Sequence, residues 1–260
     1  MPTHGFDVLA HLDDPSLTER LPDLLARSRA AGVKEWLVAG ADPERWSDVE
    51  RIGETNGAHV ALGLHPKWAA AMNEEALDEA LARLDARAPQ VVGEIGLDAR
   101  YASSNQARQA QRGAFRAQLA WARRHDRPVL VHAVRSTPEV LHLVRRDGLP
   151  SHGGIWHGWS GHPEQAREAV ELGFCLSFGP LLLARSGHRV RASAEKTPIE
   201  NVLLESATPH PALPEGPAGL SRLAAVVADV RGLTAREILR RTHRNAVRLL
   251  PGPSRSEKMS

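Results

Sequence analysis

Short apolar runs alternate with longer amphipathic stretches along most of the chain. Eight runs have the length and composition of buried strands. They are FDVL (6–9), KEWLVAG (34–40), HVALGLH (59–65), VVGEIGL (91–97), PVLVHAV (128–134), GIWHGW (154–159), FCLSFG (174–179) and NVLLESA (201–207). Between them apolar residues recur at helical spacing, as Leu77, Leu81 and Leu84 do. Because strands that alternate with helices form parallel βαβ units, eight units predict an α/β fold, a closed (β/α)8 barrel of the TIM type. An open doubly wound sheet is the alternative.

The chain after the eighth run has a different composition. A loop rich in proline and glycine covers 209–219, and two further helical patterns follow over 220–230 and 234–250. Thr234, with Glu237 three residues later, is a capping-box signal for the second of them. We therefore expect one barrel domain over residues 1–250 and a disordered tail over 251–260.

Composition excludes few functions. Hydrophobic residues make up 42% of the chain and charged residues 25%, which is ordinary for a soluble globular protein. The 33 basic and 31 acidic residues leave a formal charge of only +2, which neither demands nor excludes a nucleic-acid partner. Cys175 is the single cysteine, so an internal disulfide is excluded and a reducing compartment is favoured. Without a signal-peptide pattern or an apolar run of about 18 residues, the expected location is cytoplasmic, with no membrane partner.

Polar residues at the ends of the predicted strands are the candidates for chemistry, because a barrel of this kind builds its active site there. They are Asp7, His11, His65, Glu94, His132, His157 and Glu205. A single histidine in an apolar run is usually a satisfied core residue, but six of the eight strands deliver a histidine or a carboxylate to the same end. Imidazole and carboxylate together suit zinc and similar divalent ions.

The motifs around these residues resemble those of one enzyme family. FDVLAHLD, GLHP, GEIGLD, VHAV, WHGWSGH and LLESATP occur in this order, and the chain ends in GLTAREILRRTHRNAVRLL with Asn245. This series, from Phe6 to Leu250, resembles the TatD-type metal-dependent hydrolases and deoxyribonucleases. The resemblance implies a barrel with two neighbouring metal sites and hydrolysis of phosphodiester bonds in DNA.

One of the two implied metal sites is complete in this sequence. The resemblance assigns its ligands to Glu94, His132 and His157, with Glu94 and His157 as catalytic residues. Three protein ligands and one open position are the arrangement of a catalytic zinc-like ion. We expect one divalent metal ion here, which could be zinc, magnesium or manganese.

The other implied site has lost half of its ligands. The resemblance places its histidine and its aspartate at positions that hold Leu9 and Ala207 here, so that only His11 and Glu94 remain. We expect the second site to be absent or weak, with His11 as a weak ligand. The missing aspartate is also the expected general base, for which Glu205 and His210 are the available substitutes.

Candidate substrate contacts depart from the family pattern. His-Ser-Arg-Asp after the fifth strand is replaced by residues 132–135, which shifts the arginine by one position to Arg135. Arg135 and His65 are the predicted substrate-binding residues. Two further sets could contact a nucleic acid, although a solvated helix face or core packing explains them as well. They are Arg185, Arg189, Arg191 and Lys196, and the tryptophans Trp68, Trp156 and Trp159.

These observations favour a one-metal hydrolase of phosphodiester bonds, a deoxyribonuclease, with DNA or another phosphate ester as its partner. Loss of the general base and of half the metal ligands supports an alternative. In it the barrel is catalytically impaired or inactive and serves as a scaffold or a subunit that binds another protein. The sequence does not separate phosphodiester hydrolysis from action on another ester or an amide.

Overall fold

Eight parallel strands in the order β1 to β8 form the sheet of this protein, as the apolar runs predict. The computed structural model describes residues 4–250, so the tail predicted over 251–260 lies outside the described residues. The strands are β1 (Gly5–Ala10), β2 (Val33–Gly40), β3 (His59–Leu62), β4 (Val91–Asp98), β5 (Val129–Val134), β6 (Gly154–Trp156), β7 (Phe174–Phe178) and β8 (Val202–Leu204). β3, β6 and β8 end before the apolar runs do, which leaves His65, His157 and Glu205 in the segments that follow them.

The sheet closes between its first and last strands. The amide of Ala207 donates to the carbonyl of Leu9 over 3.1 Å, and the amide of His11 donates to the carbonyl of Thr208 over 2.7 Å. Ala10 and Thr208 form a parallel bridge at the same place. The prediction of a (β/α)8 barrel is therefore confirmed, and the open doubly wound alternative is wrong.

Helices follow the strands and surround the barrel. They are α1 (Leu21–Ala30), α2 (Trp46–Asn56), α3 (Pro66–Ala69), α4 (Glu74–Arg87), α5 (Asn105–Arg124), α6 (Thr137–Asp147), α7 (Pro163–Glu171), α8 (His188–Lys196), α9 (Leu220–Arg231) and α10 (Ala235–Leu249). α10 begins where the capping signal predicts, since the Thr234 hydroxyl accepts a hydrogen bond from the Glu237 amide over 3.2 Å. Among residues 4–250, no helix is both long and apolar enough to span a membrane.

Two apolar cores result from the alternation of side chains along the strands. Phe6, Leu37 and Leu130 belong to an inner core that fills the barrel, to which α10 adds Ala246 and Leu249. The outer core contains the residues of opposite parity together with the inward faces of the helices. α10 also contacts β1 and β8. In a barrel of this kind, functional side chains concentrate at the C-terminal ends of the strands.

Candidate active site

A cavity of about 500 Å³ opens at the C-terminal ends of the strands. It brings together most of the polar residues predicted from the sequence, namely His11, His65, Glu94, His132, His157 and Glu205. Asp7 lies beneath this cavity, fully buried, where its carboxylate accepts hydrogen bonds from the amide and the hydroxyl of Ser206. Asp7 is therefore part of the supporting structure.

Glu94 lies at the centre of the site and is 2% exposed. Its Oε2 is 2.7 Å from His157 Nε2, 3.3 Å from His132 Nδ1 and 4.0 Å from His65 Nε2. Its Oε1 is 3.2 Å from His11 Nε2. Burial alone would raise the pKa of Glu94, but the nearby His157 and His11 hold this pKa well below its usual value. The carboxylate is therefore charged and surrounded by imidazoles.

Close packing between β4 and β5 places Glu94 beside His132. The register between these strands shifts from Gly93 to Ile95, around Glu94 itself. Gly96, with a φ of 144°, faces the backbone of His132, and a Cβ at this position would lie 1.9 Å from the His132 carbonyl oxygen. The glycines of the GEIGLD motif thus permit an approach that a side chain would prevent.

Asp98 determines which nitrogen of His132 faces Glu94. Its Oδ2 lies 3.0 Å from His132 Nε2, and Arg100 binds both oxygens of the same carboxylate. Since a carboxylate accepts, the proton of His132 belongs on Nε2 and the lone pair on Nδ1. Asp98 was not singled out from the sequence, although it is the last residue of the GEIGLD motif.

His11 is oriented in a comparable way by β2. Its Nδ1 lies 3.3 Å from the carbonyl oxygen of Ala39, which can only accept. When the ring is neutral, the lone pair of His11 is therefore on Nε2, the atom that faces Glu94 Oε1. Within residues 4–250, that carboxylate oxygen is buried and has no hydrogen-bond partner.

His157 carries the positive charge of the site. Burial lowers its pKa, but the carboxylates of Glu94 and Glu205 outweigh this effect and raise the pKa to about 10. Its Nε2 lies 3.0 Å from His132 Nδ1, a hydrogen bond in which His157 is the donor. Its Nδ1 faces Glu205 Oε1 at 3.9 Å. The proton on His157 Nε2 thus lies between Glu94 and His132, where a cation would replace it.

His65 differs from these histidines because its lone pair faces away from the site. It is the N-terminal cap of α3, and its Nδ1 accepts a hydrogen bond from the Lys67 amide over 3.0 Å. Burial lowers the pKa of His65 to about 3, so the ring is neutral with its proton on Nε2. Ligand atoms of His65, Glu94 and His132 lie within 4.8 Å of one another, which a cation could bridge. The hydrogen bond from Lys67 instead makes His65 a donor toward the cavity.

The donor atoms around Glu94 fit one divalent ion. A buried carboxylate and the nitrogens of His132 and His157 form the type of set that zinc-like ions take, and His11 Nε2 adds a fourth atom nearby. Two of the histidines also face a carboxylate other than Glu94, which is Asp98 for His132 and Glu205 for His157. Such partners are expected around histidines that bind a metal.

On the β1 and β8 side of the cavity, two positions that could carry such donors hold apolar residues. Leu9 and Ala207 both line it, and Ala207 keeps a left-handed backbone with a φ of 51°. Glu205 lies deeper, where its Oε1 accepts the Gly158 amide over 2.8 Å. His210 reaches the cavity from the loop after β8, with its Nδ1 accepting the Ala212 amide over 3.2 Å.

Two positively charged side chains that the sequence analysis did not single out, Arg45 and Lys67, line the cavity. The predicted Arg135 does not. Arg135 is exposed, has a left-handed φ of 53° and falls outside the lining. Arg45 lines the cavity and lies 3.5 Å from the Asp13 carboxylate. Lys67 also lines it, with its Nζ 4.5 Å from the ring centre of Trp68.

The remaining predicted nucleic-acid contacts divide between surface and core. Trp68 is exposed at the cavity entrance, whereas Trp156 and Trp159 are fully buried and pack against each other. In the basic segment after β7, Arg191 donates to the carbonyls of Leu182 and Ala184, which is a structural role.

Comparison with known proteins agrees with this geometry. The family described as TatD related DNase matches residues 6–251. The uncharacterized metal-dependent hydrolase YabD of Bacillus subtilis is 31% identical over 252 residues, which cover 94% of this chain and 98% of YabD. Deoxyribonuclease TATDN3 of Homo sapiens is 27% identical, with 94% of each chain covered. The crystal structure of YJJV, a TatD homologue from Escherichia coli, superposes with a TM-score of 0.84 at 28% identity and covers 97% of this chain and 100% of its own. This chain therefore belongs to the TatD-related DNase family.

Proposed function

We propose that this protein is a metal-dependent hydrolase of phosphodiester bonds that acts on DNA with one divalent ion. Glu94, His132 and His157 would hold the ion, and zinc, magnesium and manganese are the candidates. The observation that carries the proposal is the arrangement of imidazole nitrogens around one buried carboxylate in an open cavity. The names of YabD and TATDN3, a metal-dependent hydrolase and a deoxyribonuclease, support it.

A divalent ion bound here would supply Lewis acidity toward a phosphoryl oxygen and toward water. The chain's own residues fix the geometry. Asp98 holds the His132 ring through Nε2, and Glu205 faces Nδ1 of His157, so both rings present their other nitrogen to Glu94. Such partners determine both the orientation and the basicity of a histidine.

His65 would contribute a hydrogen bond to the substrate. Its Nε2–H faces the cavity near Glu94 and can donate to a non-bridging phosphoryl oxygen, where negative charge increases during the reaction. A neutral imidazole suits this role because it holds its proton while it donates. Lys67 adds a positive charge to the same cavity, whereas Arg45 is paired with the Asp13 carboxylate there.

Glu205 is the proposed proton acceptor in place of the missing aspartate. It lines the cavity and is 1% exposed. Its Oε2 is buried and receives no hydrogen bond from the described part of the chain, unlike its Oε1. An acceptor of this kind must lie within hydrogen-bond reach of the attacking water, directly or through a second water.

Elemental analysis of the purified protein, combined with cleavage assays on single-stranded and double-stranded DNA, tests the proposal. We expect about one ion per chain and metal-dependent cleavage that His132→Ala abolishes. His142→Ala, which alters an exposed histidine on α6, should change neither quantity. A folded protein that binds no ion and cleaves no DNA would favour the alternative, an inactive barrel that acts as a scaffold. The loss of donors at Leu9 and Ala207 is the observation behind that alternative.

A further inference from the structure

The cavity around Glu94 has a polar wall and, across from it, a wall with an apolar patch. Glu94, His132 and His157 come from β4, β5 and the end of β6. Since the strands follow one another around the barrel in chain order, β8, β1 and β2 lie across from them. On that side Leu9, Ala39 and Ala207 form an apolar patch, and His11, Arg45 and Glu205 line the cavity beside it.

The backbone groups next to this apolar patch are already paired within the protein. The Leu9 carbonyl accepts the Ala207 amide, and the Leu9 amide donates to Asp7 Oδ1 over 3.3 Å. The Ala39 carbonyl lies 3.3 Å from His11 Nδ1. Asp7, two residues before Leu9, also binds the amide and hydroxyl of Ser206. Neither these side chains nor these backbone groups are left to bind a polar group of a ligand.

The apolar surface continues toward the entrance. Trp68 and Leu181 line the same cavity with 37% and 45% of their surfaces exposed, although large apolar residues are usually covered. A ligand that enters between them meets apolar carbon on its way to the Leu9 wall. Its charged end meets Glu94 and the histidines.

We propose that Leu9, Ala39 and Ala207 form a subsite for an apolar substituent, an alkyl or unsubstituted aryl group, of a phosphate ester other than DNA that also reacts at Glu94. The subsite rests on the proposed function for the charged end of the substrate. A hydroxyl or amide placed against this wall would lose its hydrogen bonds to water without replacement. An apolar group would be stabilised by removal of its surface from water. The cavity of about 500 Å³ is large enough for both parts of such a ligand.

Two phosphonates that differ in one substituent test the subsite without any turnover. Calorimetric titration of the full-length protein with methylphosphonate and phenylphosphonate, both with Mn²⁺ present, measures their dissociation constants. We expect phenylphosphonate to bind at least about tenfold more tightly, as burial of a phenyl group predicts.

Polar substitutions in the wall should remove this difference. Leu9→Asn keeps the branching at Cγ but makes the side chain polar. Ala207→Ser, which adds one hydroxyl at a half-buried position, is the second variant if Leu9→Asn does not fold. In either variant phenylphosphonate should weaken toward the affinity of methylphosphonate, which itself stays unchanged. Ala10→Ser is the matched control, because Ala10 is an equally small residue of β1 that packs in the outer core.

The outcomes separate the subsite from the proposed function. Equal affinities for the two phosphonates would overturn the subsite and leave the phosphodiesterase proposal standing. If phenylphosphonate binds and methylphosphonate does not, and if Leu9→Asn or Ala207→Ser abolishes that binding, the subsite is supported and the phosphoryl site is overturned. If neither phosphonate binds, both proposals are wrong. A tenfold preference that survives both wall substitutions would place the phenyl group elsewhere and overturn the subsite.

Discussion

The amide of Ala207 donates a 3.1 Å hydrogen bond to the carbonyl of Leu9, across the seam where the barrel closes. These two positions are separated by most of the chain, and they are the two at which the family motifs imply a histidine and an aspartate. Their contact shows that these two differences from the family motifs affect one wall of the cavity. Glu94, His132 and His157 belong to the opposite side and keep their mutual contacts.

Restoring the two side chains should restore a second metal site. In the double variant Leu9→His and Ala207→Asp, His11 and Glu94 gain two ligands, so metal content should rise from about one ion per chain toward two. The left-handed backbone at position 207 accepts aspartate more readily than most residues, which favours folding of the variant. Elemental analysis after exhaustive dialysis measures the change. An unchanged metal content would contradict the ligand assignment.

Substitution of His65 distinguishes a hydrogen-bond donor from a metal ligand. If His65 donates from Nε2, His65→Ala should leave metal content unchanged and lower the cleavage rate by about 10²-fold, as loss of one donor to a developing anion does. If His65 is a ligand, His65→Ala should lose metal as His132→Ala does. Metal content and DNA cleavage, measured on the same protein preparations, decide between the two roles.

Asp98 should control the affinity for metal without touching the ion. Asp98→Ala removes the acceptor that keeps the proton of His132 on Nε2, so metal affinity should fall by about 10- to 100-fold. Competition with a chromophoric chelator measures this loss. Asp78→Ala, which changes an exposed aspartate of α4, is the control. Equal affinities in the two variants would show that His132 keeps its orientation without Asp98.

The strand order and most of the site were predictable because both follow from simple periodicities. Buried parallel strands appear as apolar runs, and the carboxyl ends of the strands meet at one end of a barrel. Glu94, His132 and His157 could therefore be placed together from the sequence.

The orientations of individual side chains were not predictable in this way. Arg135 was predicted beside the substrate from a motif shifted by one position, but a shift of one residue at a strand end moves a side chain to another face. Asp98 escaped notice because its partner, His132, lies on the next strand and the register between the two is irregular. The donor role of His65 depends on the cap of α3, for which Pro66 at the first helical position was the available signal.

Glu205 should affect catalysis more than metal content. If its Oε2 accepts the proton of the attacking water, Glu205→Gln should lower the cleavage rate by about 10²- to 10⁴-fold. The side-chain oxygen of the glutamine can still accept the hydrogen bond from the Gly158 amide, so the local backbone is preserved. His210→Ala tests the other substitute for the missing aspartate and should change the rate less. A larger loss in His210→Ala, with metal content equal in both variants, would assign the proton acceptor to the loop after β8.

Asp7 should make stability depend on pH in an unusual direction. Burial raises the pKa of Asp7 from 3.8 to about 7, although hydrogen bonds from Ser206 oppose the shift. The folded state therefore binds a proton that the unfolded state releases above about pH 4. Its stabilising contribution is complete below pH 4 and is lost as the pH rises toward 7, by up to about 4 kcal/mol.

The variant Asp7→Asn tests this dependence. Asparagine can accept from the Ser206 amide and donate to its hydroxyl at every pH, so it mimics the protonated carboxyl. The free energy of unfolding of Asp7→Asn, minus that of the unmodified protein, should increase steadily between about pH 4 and pH 7. Urea titrations at several pH values measure this difference, with Asp78→Asn as the exposed control. A difference that does not vary with pH would show that Asp7 is ionised in the folded protein over the whole range.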